Sequence, residues 1–158
     1  MISIPKISDF VRVARDLSPS ICGKMVRVML TRPHLMPGAV LATLRASTGA
    51  DERFDESHYG NGIANGYKHA AWNALIAHYS RWGVRSVEDA LLWAERITDL
   101  HEECFPNPAD ERQVDLDNNR TGRELYASLR EKSGKRLRTH DVLEYIYENK
   151  EKIVFTGD

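Results

Sequence analysis

Asn65, His69 and Asn73 recur every fourth residue in the stretch NGYKHAAWNAL. On a helix such residues lie one above another, so two amides and an imidazole share one stripe, with Trp72 beside it. Amides make directed hydrogen bonds, and an imidazole can also move protons or bind a metal. Two further polar groups stand out. Asp99, His101 and Glu102 close a helical pattern, and Asp115, Asp117, Asn118 and Asn119 gather oxygen donors within five residues. Two chemistries suit these residues. In the first, His69, His101 and carboxylates drawn from Asp99, Glu102 and Asp115 hold a divalent ion, zinc before others. An open position would then activate water for hydrolysis. The smallest such ligand set is His69, His101 and Asp115. In the second, Glu102 is a general acid with Asp115 as its partner carboxylate, as in muramidases, and His69 tunes the acid. The same groups would also serve a third purpose without chemistry, tying three helices together through a buried hydrogen-bond network.

Other sites are excluded by spacing. A calcium loop starting at Asp115 would need glycine at its sixth position and glutamate at its twelfth, where Arg120 and Tyr126 stand. Gly-rich phosphate loops and a Gly-x-Ser-x-Gly elbow are absent. His78 and His140 have no polar company and read as structural.

The elements that must position these residues are helical. Ser8 caps a first helix over Asp9–Leu17, and Ile21, Met25, Val28 and Met29 form the apolar stripe of a second that Pro33 ends. A third starts near Pro37 and runs to Ala46. The composition from Ser47 to Gly62, STGADERFDESHYGNG, reads as a surface loop carrying His58 and Tyr59, with a rim or lid over the polar stripe as the alternative. The central helix follows from Ile63 to Trp82. After Gly83, Ser86 caps a helix to about Glu103, with Asp89 at the third position of a capping box. Asn118 or Asn119 reads as the cap of a helix ending near Lys132. A last helix starts at Thr139 or Asp141, flanked by KRLR and KIVFT, which are short enough to pair as strands. Helices joined by a short turn at Gly83 are normally antiparallel neighbours, which would carry Glu102 towards Asn65 and His69.

The expected fold is therefore mainly α, a compact multi-helix bundle with at most one short C-terminal strand pair. It forms a single domain over 1–158: a helical scaffold (1–46), a motif-bearing core (61–126), and a C-terminal helix with the strand candidates (135–158). The totals agree with a soluble globular chain of 158 residues, 42% hydrophobic and 28% charged. With 22 basic and 23 acidic residues the net charge is -1, which gives no electrostatic reason to expect nucleic acid. Cys22 and Cys104 match no zinc spacing and read as buried thiols, with a single disulfide left open. No run of about 20 apolar residues could span a membrane, and no cleavable secretory signal is evident. The expectation is synthesis in the cytoplasm, with any export using a route that reads no such signal.

The order N-x-x-[RK]-H-x-x-W-N, H-E, D-x-x-N-N-x-x-G-R resembles an uncharacterised bacterial domain family, often found at the ends of secreted, toxin-like proteins. The matching residues are Asn65, Lys68, His69, Trp72, Asn73, His101, Glu102, Asp115, Asn118, Asn119, Gly122 and Arg123. Lys68 stands where arginine is more usual, which matters if a guanidinium fork holds a carboxylate or phosphate. The resemblance implies a secreted antibacterial effector or toxin. As a hydrolase it would act on a cell-envelope substrate, phospholipid or peptidoglycan, and an immunity protein would cover its pocket. The family brings no settled mechanism, and it is the two chemistries above that make His69, His101, Glu102 and Asp115 the catalytic candidates. Asn65, Lys68, Trp72, Asn73, Asn118, Asn119 and Arg123 would bind substrate. A non-catalytic binding or structural module is the alternative.

Overall fold

A computed structural model describes residues 23–55, 60–105, 107–133 and 136–156. Among them lie six α-helices: α1 (Gly23–Thr31), α2 (Met36–Asp51), α3 (Ile63–Ser80), α4 (Val87–Cys104), α5 (Ala109–Lys132) and α6 (Thr139–Glu148). Single 3-10 turns at Pro33–Leu35 and Lys150–Lys152 join or follow them. There is no strand among the described residues, so the two C-terminal runs do not pair. The helix expected over Asp9–Leu17, together with Cys22, His58 and Tyr59, lies outside the described residues. Among the described residues no helix is long and apolar enough to cross a membrane.

The central helix α3 is the axis of the bundle, packed against α2, α4, α5 and α6. Its sequence explains this position. Ala70, Ala71, Ala74 and Ala77 are fully buried, and side chains this small let neighbouring backbones approach closely. Gly122 of α5 lies so near α3 that a Cβ there would stand 2.0 Å from the Ala70 carbonyl oxygen. Leu44, Leu75, Ile76, Leu125, Val142, Leu143 and Ile146 fill the remaining core. Tyr67 extends it towards α6, packed beside Phe54 and Tyr147 and donating its hydroxyl to the Leu143 carbonyl at 3.2 Å.

Two helix boundaries differ from the pattern-based expectation. α2 continues to Asp51 instead of ending at Ala46. The Thr48 hydroxyl donates back to the Leu44 carbonyl, and Gly49 and Ala50 are buried, so these loop-forming residue types serve a packed last turn. The second difference matters more. α5 does not begin at Asn118 or Asn119 but nine residues or more earlier, after Pro108, with Asp110 and Glu111 in its first turn where the helix dipole favours acids. Both asparagines are therefore in mid-helix. α4 keeps its expected start, the Ser86 side chain accepting from the Asp89 N–H at 3.1 Å. Cys104, at its end, is disulfide-bonded and not a free thiol.

Candidate functional site

Three helices contribute to one buried polar cluster. α3 supplies His69 and Asn73, the end of α4 supplies Glu102 and Thr98, and α5 supplies Asp115, Asn119 and Arg123. His69 is 6% exposed, Glu102 1% and Asp115 3%. One ligand-capable atom from each lies within 4.8 Å of the other two.

The hydrogen bonds fix which atoms face which. Arg123 can only donate, and its Nη1 lies 2.9 Å from Asn73 Oδ1. That oxygen also accepts from Thr98 Oγ1 at 3.2 Å. The Asn73 amide nitrogen must then point away, and it donates to Asn119 Oδ1 at 2.7 Å. With Asn119 Oδ1 thus assigned as an acceptor, His69 Nδ1, 3.3 Å from it, carries the proton. A neutral His69 therefore presents the bare lone pair of Nε2 to Asp115 Oδ1 at 3.3 Å. Two acceptors facing one another need a proton or a cation between them. The separation is also about the edge of a tetrahedron with ligand distances near 2.0–2.1 Å.

Arg123 sets this relay in motion, and its second arm is held by Glu95 Oε1 at 3.0 Å. Arg123→Gln should cost about 1–3 kcal/mol in urea denaturation, because Asn73 Oδ1 loses its charged donor. Arg123→Lys should recover only part of this, since one ammonium cannot fork to both partners.

Two orphaned atoms complete the cluster. Glu102 Oε1 and Asn119 Nδ2 are buried and make no hydrogen bond of good geometry among the described residues, although the Asn119 amide lies near enough to act on the Glu102 carboxyl. Burial first, and the Asp115 carboxylate second, push Glu102 up to about 7, while the Asn119 amide, Arg112 and Lys68 pull the other way. Burial likewise raises Asp115 above the ordinary aspartate range, against the amides of Asn107 and Asn65. These donate to its two oxygens at 3.1 and 3.3 Å. Burial, then the Lys68 and His101 charges, hold His69 well below the usual imidazole range. A neutral imidazole and two buried carboxylates form a donor set that a divalent ion fits, and the unpartnered Glu102 oxygen is available to it.

The sequence-derived candidates divide accordingly. His69, Glu102 and Asp115 come together, with Asn65, Asn73, Asn119 and Arg123 around them. Glu102, not His101, completes the group. His101 stands against Trp72 and Phe105, ring centroids 5.1 and 4.8 Å away, and burial lowers it to about 4. Trp72 is a wall, its indole N–H donating to Thr43 Oγ1 at 2.9 Å. Lys68 is half-buried and its charge acts on all three members of the group. Asn118 is turned to the C-terminal segment, donating to the Val154 carbonyl at 2.8 Å and accepting its N–H at 3.0 Å. Asp99 and Asp117 are half-buried and outside the group. Three partners were missed by sequence reasoning. Thr98 is a hydroxyl amid the Ala94/Ile97 face, Glu95 lies three residues before it, and Asn107 stands between two prolines. Only the odd polarity of Thr98 on that face could have signalled one of them.

Fold and site together define an all-helical domain built around a buried His/Glu/Asp centre. The chain belongs to the family described as a domain of unknown function, DUF6973, whose match spans residues 26–150 and so contains every residue of that centre. No curated protein and no solved structure matches it.

Proposed function

We propose that the domain is a metal-dependent hydrolase of the secreted effector or toxin type, with His69, Glu102 and Asp115 as its divalent-ion ligands. The observation that carries this reading is the meeting of the His69 Nε2 lone pair with Asp115 Oδ1, next to an unpartnered Glu102 oxygen. A bound divalent ion supplies Lewis acidity and lowers the pKa of a coordinated water. The chain's own residues hold it. Asn119 fixes the His69 tautomer, Asn65 and Asn107 orient Asp115, and Lys68 offers the nearby positive charge that a phosphoester substrate would meet. Phospholipid or another phosphoester is favoured over peptidoglycan. Carboxylates this close leave too little room for an inverting glycosidase, which needs roughly 6.5–9.5 Å between them, so peptidoglycan cleavage would be left the retaining geometry of about 5–5.5 Å. The preference for a phosphoester rests on the Lys68 charge and the imidazole–carboxylate donor set. The disulfide at Cys104 supports work in an oxidising compartment, as expected for an exported effector.

A second reading rests on the burial itself. A hollow against Asp115 has about 10 Å³, lined also by Asn61, Asn65 and Val154, and would take one water. A centre so enclosed also suits a non-catalytic module whose ion or proton locks three helices together. Metal analysis of the purified protein, with a phosphodiester and lipid hydrolysis assay, separates the two. The hydrolase should carry about one divalent ion per chain and lose both ion and turnover in His69→Ala. An ion without turnover favours the structural centre. A metal-free protein whose melting ignores chelator would remove the metal reading altogether.

A further inference from the structure

A large cavity lies away from this centre, at the other end of α3. It has a volume of about 450 Å³, within the range of small-molecule sites, and is walled by Arg81, Arg130, Arg136, His78, Trp82 and Leu137 among others. Three guanidiniums share it, and no carboxylate lines it. The chain as a whole has a net charge of -1, so this concentration is not a reflection of general basicity.

Like charges in one cavity repel unless something offsets them. Helix C-termini are the first candidates, because α3 and α5 both end here, each with about half a negative charge. Together they balance about one of three positive charges. Side chains do no better. None of the three guanidiniums forms an ion pair or a hydrogen bond with a described residue, and the Nε atoms of Arg81 and Arg130 are buried without a partner. The acids that feel this end of the bundle are committed elsewhere. Glu88 is held by its own helix start and Ser86, and Asp141 pairs with Arg138 at 3.2 Å. The positive field is also felt by His78, whose pKa is lowered by burial and then by Arg130. Beside the charges sits a flat apolar surface. Trp82 is 77% exposed, and the Arg136 guanidinium lies 5.3 Å from its ring centroid.

We propose that this cavity is a binding site for a phosphate monoester carrying an apolar or ring-shaped organic group. Planar forked guanidiniums suit phosphate oxygens, and a monoester's charge of about -1.5 to -2 matches the positive excess left by the helix ends. The volume exceeds what inorganic phosphate alone would fill, and Trp82 with Leu137 provides the surface for the organic part. The site is independent of the His69/Glu102/Asp115 centre.

Calorimetric titration of the folded protein with phenyl phosphate, inorganic phosphate and phosphatidic acid vesicles tests this. Phenyl phosphate should bind saturably, more tightly than inorganic phosphate, and more weakly as salt rises. Loss of the charge-assisted bonds in Arg81→Gln/Arg130→Gln should weaken it about tenfold or more. Should that pair prevent folding, Arg136→Gln at the Trp82 rim should weaken it several-fold in a folded protein. Glu102→Gln should leave it unchanged, which keeps the outcome separate from that of the hydrolase reading. Binding to the vesicles alone, abolished by the same arginine variants, supports the site and assigns the phosphate to a lipid headgroup. No saturable binding of either probe overturns the proposal, as does binding that the arginine variants leave intact.

Discussion

Gly122→Ala is expected to destabilise the domain by about 3 kcal/mol or more, the upper end of overpacking effects, and to take the buried centre with it. The added methyl would stand 2.0 Å from the Ala70 carbonyl oxygen, 2.7 Å from its carbon and 2.8 Å from its Cα. All three are backbone atoms of a buried helix, so no side chain can rotate away. Ordinary contact begins at 3.4 Å, and α3 and α5 would have to part by more than an ångström. Ala70 adjoins His69, and Gly122 lies one turn from Asn119, so the separation falls on the His69–Asn119 hydrogen bond. Gly49→Ala is the control: its new methyl meets only flexible side chains, Leu143 at 3.3 Å and the Arg53 guanidinium at 3.6 Å. Urea denaturation of the two variants should give a large loss for the first and a small change of either sign for the second. Wild-type stability in Gly122→Ala would mean that the two helices do not meet at this point.

Glu102→Gln should change the pH dependence of stability strongly between pH 5 and pH 8. In metal-free protein Glu102 holds its proton to about pH 7, while the unfolded chain releases it near 4.5. Below that lower value the carboxyl is neutral in both states and costs nothing. Between the two the folded state binds more protons, so stability falls as pH rises, and the full penalty is reached above the folded value. It is on the order of 3 kcal/mol. Asp115 contributes in the same direction. His69, His78 and His101 run the other way, since their lowered values remove stability as pH falls below about 6.5. Lys68 and Arg112 oppose the Glu102 shift without titrating in this range. The difference between wild type and Glu102→Gln isolates the acid: it should grow in favour of the variant from pH 5 to pH 8. Adding a divalent ion should reverse the order at pH 8, because ligation takes the place of the proton only in the wild type. Thermal melts at the two pH values, with and without chelator, read both effects. Parallel wild-type and variant curves would show that Glu102 ionises normally.

Much of the bundle was legible because its helices are amphipathic or interrupted by proline and glycine. The Ser86 cap and the small residues of α3 could be read directly. Convergence of the His69, Glu102 and Asp115 segments followed from one short turn at Gly83. The asparagines were misread because Asn favours helix starts through bonds to its own backbone. Asn118 and Asn119 instead bond to Val154 and to His69 and Asn73, partners 36, 50 and 46 residues away. No local pattern encodes such partners. The same holds for Asn107 and Glu95, whose roles exist only once α5 is in place. His101 was overrated because helical spacing gives the face of a residue but not its neighbours on other helices. Its ring turned to Trp72 and Phe105, and Glu102 stands as the third member of the buried group.

The Asn118 clip on Val154 bears on how such chains behave when crowded. The C-terminal run KIVF is apolar and β-prone, with Val154 44% and Phe155 49% exposed. Left loose, a segment of this kind is a template on which other copies can stack, edge to edge. Asn118 occupies both the N–H and the C=O of Val154, as a neighbouring strand would, and so withholds them from any foreign chain. One amide in mid-helix thereby closes both backbone groups of this residue to edge pairing, independently of what the buried centre does.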